Sequence, residues 1–284
     1  MSYSVSVLKN SLMKIPVITL NNGIEMPQLG LGIYDPQPGQ NIEQAVLWAF
    51  ELGYRLIDTA TIYKNEREVG NAMRHSGLDR YEIFLTTKVW NTDQGYDATL
   101  RAFEKSLHEL QTDYVDLYLI HWPVREHRVQ TWKALEKIYA DGKARAIGVS
   151  NYYIPHFEQL WPHTELIPAV NQFELSPYCY LPEQLDYCRQ RGIQVEGYAP
   201  LVRGWKSDDP RLIKIAEKHK KSTFQVLIRW SLQQGAVTIP KSVTKSRLAA
   251  NLDVFDFELS PEDMAEMNTW HDNTRVAEDP MDYL

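Results

Sequence analysis

The run YRLID (residues 54–58), followed at once by TATIYKNE (59–66), decides how this chain folds. An apolar run that closes on an acid reads as a buried strand delivering a carboxylate to its C-terminal end. The same shape recurs twice. EIFLTTK (82–88) ends on Lys88, and YVDLYLIH (114–121) ends on His121. Three strands therefore present an acid, a lysine and a histidine at their C-terminal ends, with Tyr63 five residues beyond Asp58. In a barrel of parallel strands, catalytic residues collect at that end.

Working outward, helical and strand signals alternate. Helical patterns over 42–52, 66–75, 98–110 and 129–140 each precede a strand, the last being ARAIGVS (144–150). Further helices are expected at 156–161 and 182–189, before strands at 168–172 and 193–198. Two helices, 210–219 and 223–233, lead to AVTIPKS (236–242), and two more cover 245–254 and 261–270. A short strand at 29–32 brings the count to eight strand–helix units, an α/β fold of the (β/α)8 barrel type. Asn22-Gly23 between two apolar runs predicts a β-hairpin, capping the bottom of the barrel. An open dinucleotide-binding sheet would want GxGxxG after its first strand. Gly30-Leu31-Gly32 continues into Ile33-Tyr34 without the third glycine. Residues 1–14 read as a leader before a single domain over 15–284.

Composition narrows the function classes. The formal net charge of −7 argues against a nucleic-acid partner or an anionic membrane surface. Two cysteines, Cys179 and Cys188, make no disulfide framework, and a cytoplasmic location is expected. No stretch of about 18 apolar residues occurs. The remaining histidines, 75, 108, 127, 156, 163, 219 and 271, show no paired metal spacing.

The four strand-end residues share one chemical logic, proton transfer. A free tyrosine has a pKa of ~10, too high for efficient acid work at neutral pH. A lysine close by stabilises the phenolate, and an aspartate paired to the lysine keeps it charged. The histidine can hold a substrate oxygen beside the phenol. Such a site protonates an oxygen while something else attacks the attached carbon.

These residues lie in GYRLIDTATIYKNEREVG (53–70), TTKVWNTDQGY (86–96), DYVDLYLIHWP (113–123), KARAIGVSNY (143–152), NQFELSP (171–177) and IPKSVTKSRLAANL (239–252). In that order they closely resemble the aldo-keto reductase family, along nearly the whole chain from Val17. The chain looks most like the short members called 2,5-diketogluconate reductases or prostaglandin F synthase-like enzymes. The resemblance implies a barrel that uses NAD(P)H without a dinucleotide-binding sheet and reduces aldehydes and ketones. It makes Tyr63 the general acid, Lys88 the residue that lowers its pKa, Asp58 the partner of Lys88 and His121 the orienter of the carbonyl oxygen. It places Ser150, Asn151 and Gln172 on the nicotinamide carboxamide, Tyr198 stacked on that ring, and Pro200 and Leu201 along the pyrophosphate. Lys241, Ser242, Val243, Thr244, Arg247 and Asn251 match the adenosine end, where Lys241 and Arg247 suit the extra phosphate of NADPH. Tyr34, Trp90 and Trp122 are candidate substrate-pocket walls. A small-molecule carbonyl substrate is implied, with no obligate protein partner and no metal.

Two departures from the family pattern stand out, the first expected to weaken the cofactor grip or loosen closure without abolishing binding. Ala250 stands where relatives often carry a glutamate against the adenine, and Ser176 replaces a common histidine. The short tail NTRVAEDPMDYL (273–284) suggests an open, permissive pocket. Two other classes remain in play. A nucleotide-sensing subunit would bind cofactor without turnover, and a barrel isomerase with the same acid would need no dinucleotide.

Overall fold

The computed structural model describes residues 15–34 and 41–284. The expected leader, 1–14, lies outside the described residues. Strands β1 (Val17–Thr19) and β2 (Glu25–Pro27) pair antiparallel across Asn22-Gly23. Gly23 takes a φ of 85°, the left-handed region such a tight turn requires.

Strand–helix units follow: β3 (Leu31–Gly32) with α1 (Ile42–Leu52), β4 (Leu56–Asp58) with α2 (Glu66–His75), and β5 (Phe84–Val89) with α3 (Tyr96–Leu110). Next come β6 (Val115–Ile120) with α4 (Arg128–Ala140), β7 (Ala144–Ser150) with α5 (Ile154–Leu160), and β8 (Val170–Glu174) with α6 (Pro182–Gln190). β9 (Gln194–Tyr198) is followed by α7 (Pro210–His219) and α8 (Thr223–Gln233), and β10 (Val237–Thr238) by α9 (Lys245–Leu252) and α10 (Pro261–Met267). Strands β3 to β10 form one parallel sheet in sequence order. Parallel bridges from Leu29 to Thr238 and from Gly32 to Lys241 join its two edges, which closes the barrel. Every residue of β4, β5 and β6 is buried, as their near-continuous apolar runs require of a sheet covered on both faces.

The seam explains where the sequence reading overran. Strands expected at 29–32 and 236–242 shrink to two regular residues each. Pro240 has no N–H to give a ladder, and the two edges approach closely. A Cβ on Gly32 would sit 2.7 Å from the Ile239 carbonyl oxygen. Elsewhere the boundaries shift by a turn or less. α3 begins at Tyr96 because Gly95, with φ 106°, breaks the chain just before it. β8 continues past Gln172 to Glu174.

The barrel's lower interior is apolar. Leu20 and Met26 of the hairpin pack with Leu56, Phe84, Leu117, Leu119, Val170 and Val237 from the strands. The Asn21 and Asn22 side-chain amides donate to the carbonyls of Pro168 and Arg145. The hairpin thus stoppers the N-terminal mouth, and a second, larger core lies between strands and helices.

Candidate active site

At the opposite mouth, inward positions turn polar. Asp58 ends β4, and β4 lies in register with β5, so Lys88 comes two residues above the partner of Asp58. Lys88 Nζ donates to Asp58 Oδ1 at 2.6 Å and to the Thr59 carbonyl at 3.0 Å, and it is wholly buried. Tyr63 closes a single 3-10 turn (Thr61–Tyr63) just beyond β4. Its ring centroid stands 5.2 Å from Lys88 Nζ, 5.7 Å from the His121 ring and 5.0 Å from the Tyr34 ring. His121 follows the last residue of β6, and Trp90 lies edge-on to it at 5.2 Å. The structure thus brings Asp58, Tyr63, Lys88 and His121 into one cluster.

Electrostatics fix the proton inventory. Burial pushes the Tyr63 phenol up to about 12; Lys88 pulls the other way and Asp58 adds to the rise. The lysine acts in the expected direction, but desolvation outweighs it, so the phenol holds its proton at neutral pH. Burial also works against the Lys88 ammonium, but Asp58 and Tyr63 together overcome it and hold the group above its ordinary value. His121 is kept neutral, first by burial and then by Lys88. Its Nδ1 has no protein partner among the described residues.

One cavity of about 1180 Å³ opens from this cluster. Tyr34, Trp90 and Trp122 wall it near Tyr63, joined by Ile62, which the sequence reading missed. Asn151 and Gln172 line it next. Asn151, at φ 63°, donates to the His121 carbonyl and accepts from the Tyr198 hydroxyl at 2.9 Å. Gln172 is turned downward. Its Nε2 donates to Asp58 Oδ2 at 2.8 Å and to Glu196 Oε2 at 2.7 Å, which leaves Oε1 to meet a ligand. Ser150 is buried behind Asn151 and does not reach the cavity wall. Pro200 and Leu201 do, together with Arg203. Ala199, Val202 and Arg203 all have positive φ near 50°. Such strain in non-glycine residues persists where the surroundings over-determine the backbone.

The far end carries Lys241, Ser242, Arg247 and Asn251, with Ser222 and Phe224 beside them. Thr244 precedes α9 as its N-cap residue, and Val243 packs toward the core; neither lines the cavity. Among the described residues, the carboxylates on the cavity wall are Asp58 and Glu278. That donor set suits an extended ligand with phosphates at one end.

The tail departs from expectation. Glu174 accepts from the backbone N–H groups of Val276 and Ala277, and Arg128 donates to the Tyr283 carbonyl at 2.6 Å. Tyr283 stacks on Trp122 at 5.1 Å. Pinned at both ends, Val276, Ala277 and Glu278 form a cavity wall, where the short tail had suggested an open pocket. The two charges that fix the tail, Glu174 and Arg128, are buried and lie far from it in sequence.

A family profile described as the aldo/keto reductase family matches residues 28–271. The chain is 51% identical to a glyoxal reductase of Bacillus subtilis, covering 94% of this chain and 97% of that protein. It is 47% identical to a 9,11-endoperoxide prostaglandin H2 reductase of Trypanosoma cruzi, covering 94% and 95%. A crystal structure of a mutant of Gox0644 in complex with NADPH superposes with a TM-score of 0.88 at 43% identity, covering 94% of this chain and 97% of that one. Profile, relatives and fold agree with the cluster at the barrel mouth: the chain belongs to the aldo/keto reductase family, oxidoreductases that reduce carbonyl groups.

Proposed function

We propose that the protein is an NADPH-dependent reductase of small aldehydes, α-dicarbonyls and keto sugars. The observation that carries this reading is a proton-loaded phenol beside a buried ammonium, at one end of a single cavity whose other end is cationic. NADPH, when bound, supplies the hydride. The protein's residues supply the rest. Neutral His121 orients the carbonyl oxygen toward Tyr63. Tyr63 gives its proton to that oxygen, and the phenolate left behind is stabilised by Lys88. Asp58 and the Thr59 carbonyl hold the Lys88 ammonium in place. Tyr34, Trp90 and Trp122 present mostly apolar surface around the reacting carbonyl.

Gln172 Oε1, Asn151 and Tyr198 would meet the nicotinamide, and Pro200, Leu201 and Arg203 the pyrophosphate. Lys241, Ser242, Arg247 and Asn251 would hold the adenosine with its 2′-phosphate. The relative named a glyoxal reductase supports an α-dicarbonyl as the first substrate to try. No helix among the described residues is long and apolar enough to cross a membrane, and we place the enzyme in the cytoplasm, acting without an obligate protein partner.

The test is loss of NADPH absorbance with methylglyoxal, phenylglyoxal, 4-nitrobenzaldehyde, glyceraldehyde, isatin and a diketo sugar acid, repeated with NADH. Turnover that prefers NADPH and vanishes in Tyr63→Phe supports the reading. Tight NADPH binding without turnover on any of them would replace it with a nucleotide-sensing role.

A further inference from the structure

Beneath the cluster lies a second carboxyl that the proton-transfer scheme does not use. Glu196 sits in the middle of β9, inside the barrel and without solvent exposure. Its register partner on β10 is Val237, an apolar residue of the barrel interior. Its Oε2 accepts from Gln172 Nε2 at 2.7 Å, and its Oε1 has no partner among the described protein atoms. The same amide nitrogen donates to Asp58 Oδ2 at 2.8 Å. One amide thus bridges two carboxyl groups from β4 and β9, while β5 contributes Lys88.

The charge balance of this set is tight. Asp58 and Lys88 cancel as an ion pair, and Lys88 directs its remaining reach to the Thr59 carbonyl and the Tyr63 ring. The other side chains in this interior include the neutral His121, Gln172 and Thr86 and the apolar Leu117, Leu119 and Val237. An ionised Glu196 would be a second buried anion with half its oxygens unpaired. A neutral carboxyl tolerates that environment and an anion does not.

We propose that Glu196 is a positioning residue that acts through Lys88. As a neutral acid it leaves the ammonium charge free to stabilise the Tyr63 phenolate, and on ionising it draws that charge away and slows reduction. Burial, reinforced by Asp58, pushes the Glu196 carboxyl up to about 8, against the weaker pull of Gln172 and Lys88. Reduction should accordingly fall on the alkaline side of neutrality, before Tyr63 itself titrates. This inference rests on the reductase reading only for its kinetic arm.

Two measurements test it. The first is difference infrared spectroscopy of the resting wild-type protein against Glu196→Gln as pH rises from 5 to 10. A protonated-carboxyl band present at pH 7, absent in the variant and lost between pH 7 and 9 is expected. A carboxylate already ionised at pH 6 overturns the proposal, whether or not any substrate is turned over. The second is the pH profile of kcat/KM for NADPH-dependent reduction of one aldehyde. Glu196→Gln should keep activity within about threefold at pH 6.5 and lose the wild-type alkaline limb near pH 8. An unchanged limb in the variant, or a uniform loss at every pH, overturns the proposal. Should Glu196→Gln fail to fold, Glu196→Leu, neutral and of similar size, takes its place in both measurements.

Discussion

The two mouths of this barrel are furnished in opposite ways, although the same strands build both. At the N-terminal mouth Leu56, Phe84, Leu117 and Val170 point inward and meet Leu20 and Met26 of the hairpin. Two residues further along the same strands, at the other mouth, stand Asp58, Thr86, Leu119 and Gln172, and then Lys88 and His121. The difference teaches that the site's chemistry depends on the plug. A dry apolar floor lowers the local dielectric, so a single ammonium acts strongly on a phenol above it. The ionisable cluster is expensive to bury, and the plug offsets part of that cost by contributing apolar contact.

Breaking the upper mouth should give the largest effect. Tyr63→Phe removes the transferable proton, and reduction should fall about 10³-fold, within the range general acids contribute. NADPH affinity, read by quenching of protein fluorescence, should stay within a few-fold of wild type. Near-normal turnover would show that another group donates the proton.

Glu196→Gln sharpens the comparison through stability. The folded-state pKa of Glu196 is raised above its unfolded value, so its neutral form stabilises the fold at low pH. That contribution is lost as pH climbs from the unfolded value toward about 8, at about 1.4 kcal/mol per pH unit. The variant should therefore gain on wild type by a few kcal/mol between pH 5 and pH 8, measured by urea unfolding. A constant difference across that window would show that Glu196 is ionised in the folded protein.

Met26→Ala probes the plug alone. Removing a fully buried methionine side chain should cost about 2–3 kcal/mol of stability. KM for NADPH should not change, because no hairpin residue touches the cavity. A selective loss of cofactor binding would mean that the mouths are coupled more tightly than their separation implies. The smallest expected effect is at the far end of the cavity. Arg247→Ala should weaken NADPH by roughly 10-fold, about 1.4 kcal/mol, and NADH much less. Equal losses for both would remove Arg247 from the 2′-phosphate.

The upper mouth was the most legible part of the sequence. Asp58, Lys88 and His121 each end an apolar run, and a strand that stops on a charge announces both its direction and its end. Tyr63 was legible because it follows one of those stops. Glu196 was not, although IQVEGY puts a carboxylate mid-strand. Alternation along β9 makes its neighbours Val195 and Gly197 face outward, and that pattern alone would have set Glu196 inside. The tail was illegible for a different reason. Its wall is fixed by Glu174 and Arg128, which lie far away in sequence and reveal nothing by spacing. The seam strands are shorter than their apolar runs suggest because periodicity registers side chains, whereas Gly32 and Pro240 act through the backbone.

The seam also sets an order of events. Gly32 bridges Lys241, and the Tyr54 hydroxyl bonds the Leu248 carbonyl across 194 residues. The first strand of the barrel leaves the ribosome early and waits for its partner until nearly all the remaining chain has been made. Strands β4 to β9 can pair with the strand before them as they emerge, but the ring cannot close without β10. The cationic end of the cavity sits on the segment that follows β10, so it is among the last parts to be assembled. Capture of a phosphate-bearing ligand during synthesis would then report a finished barrel, and a chain stalled before residue 237 would carry the acid–lysine pair without the cationic end of the cavity.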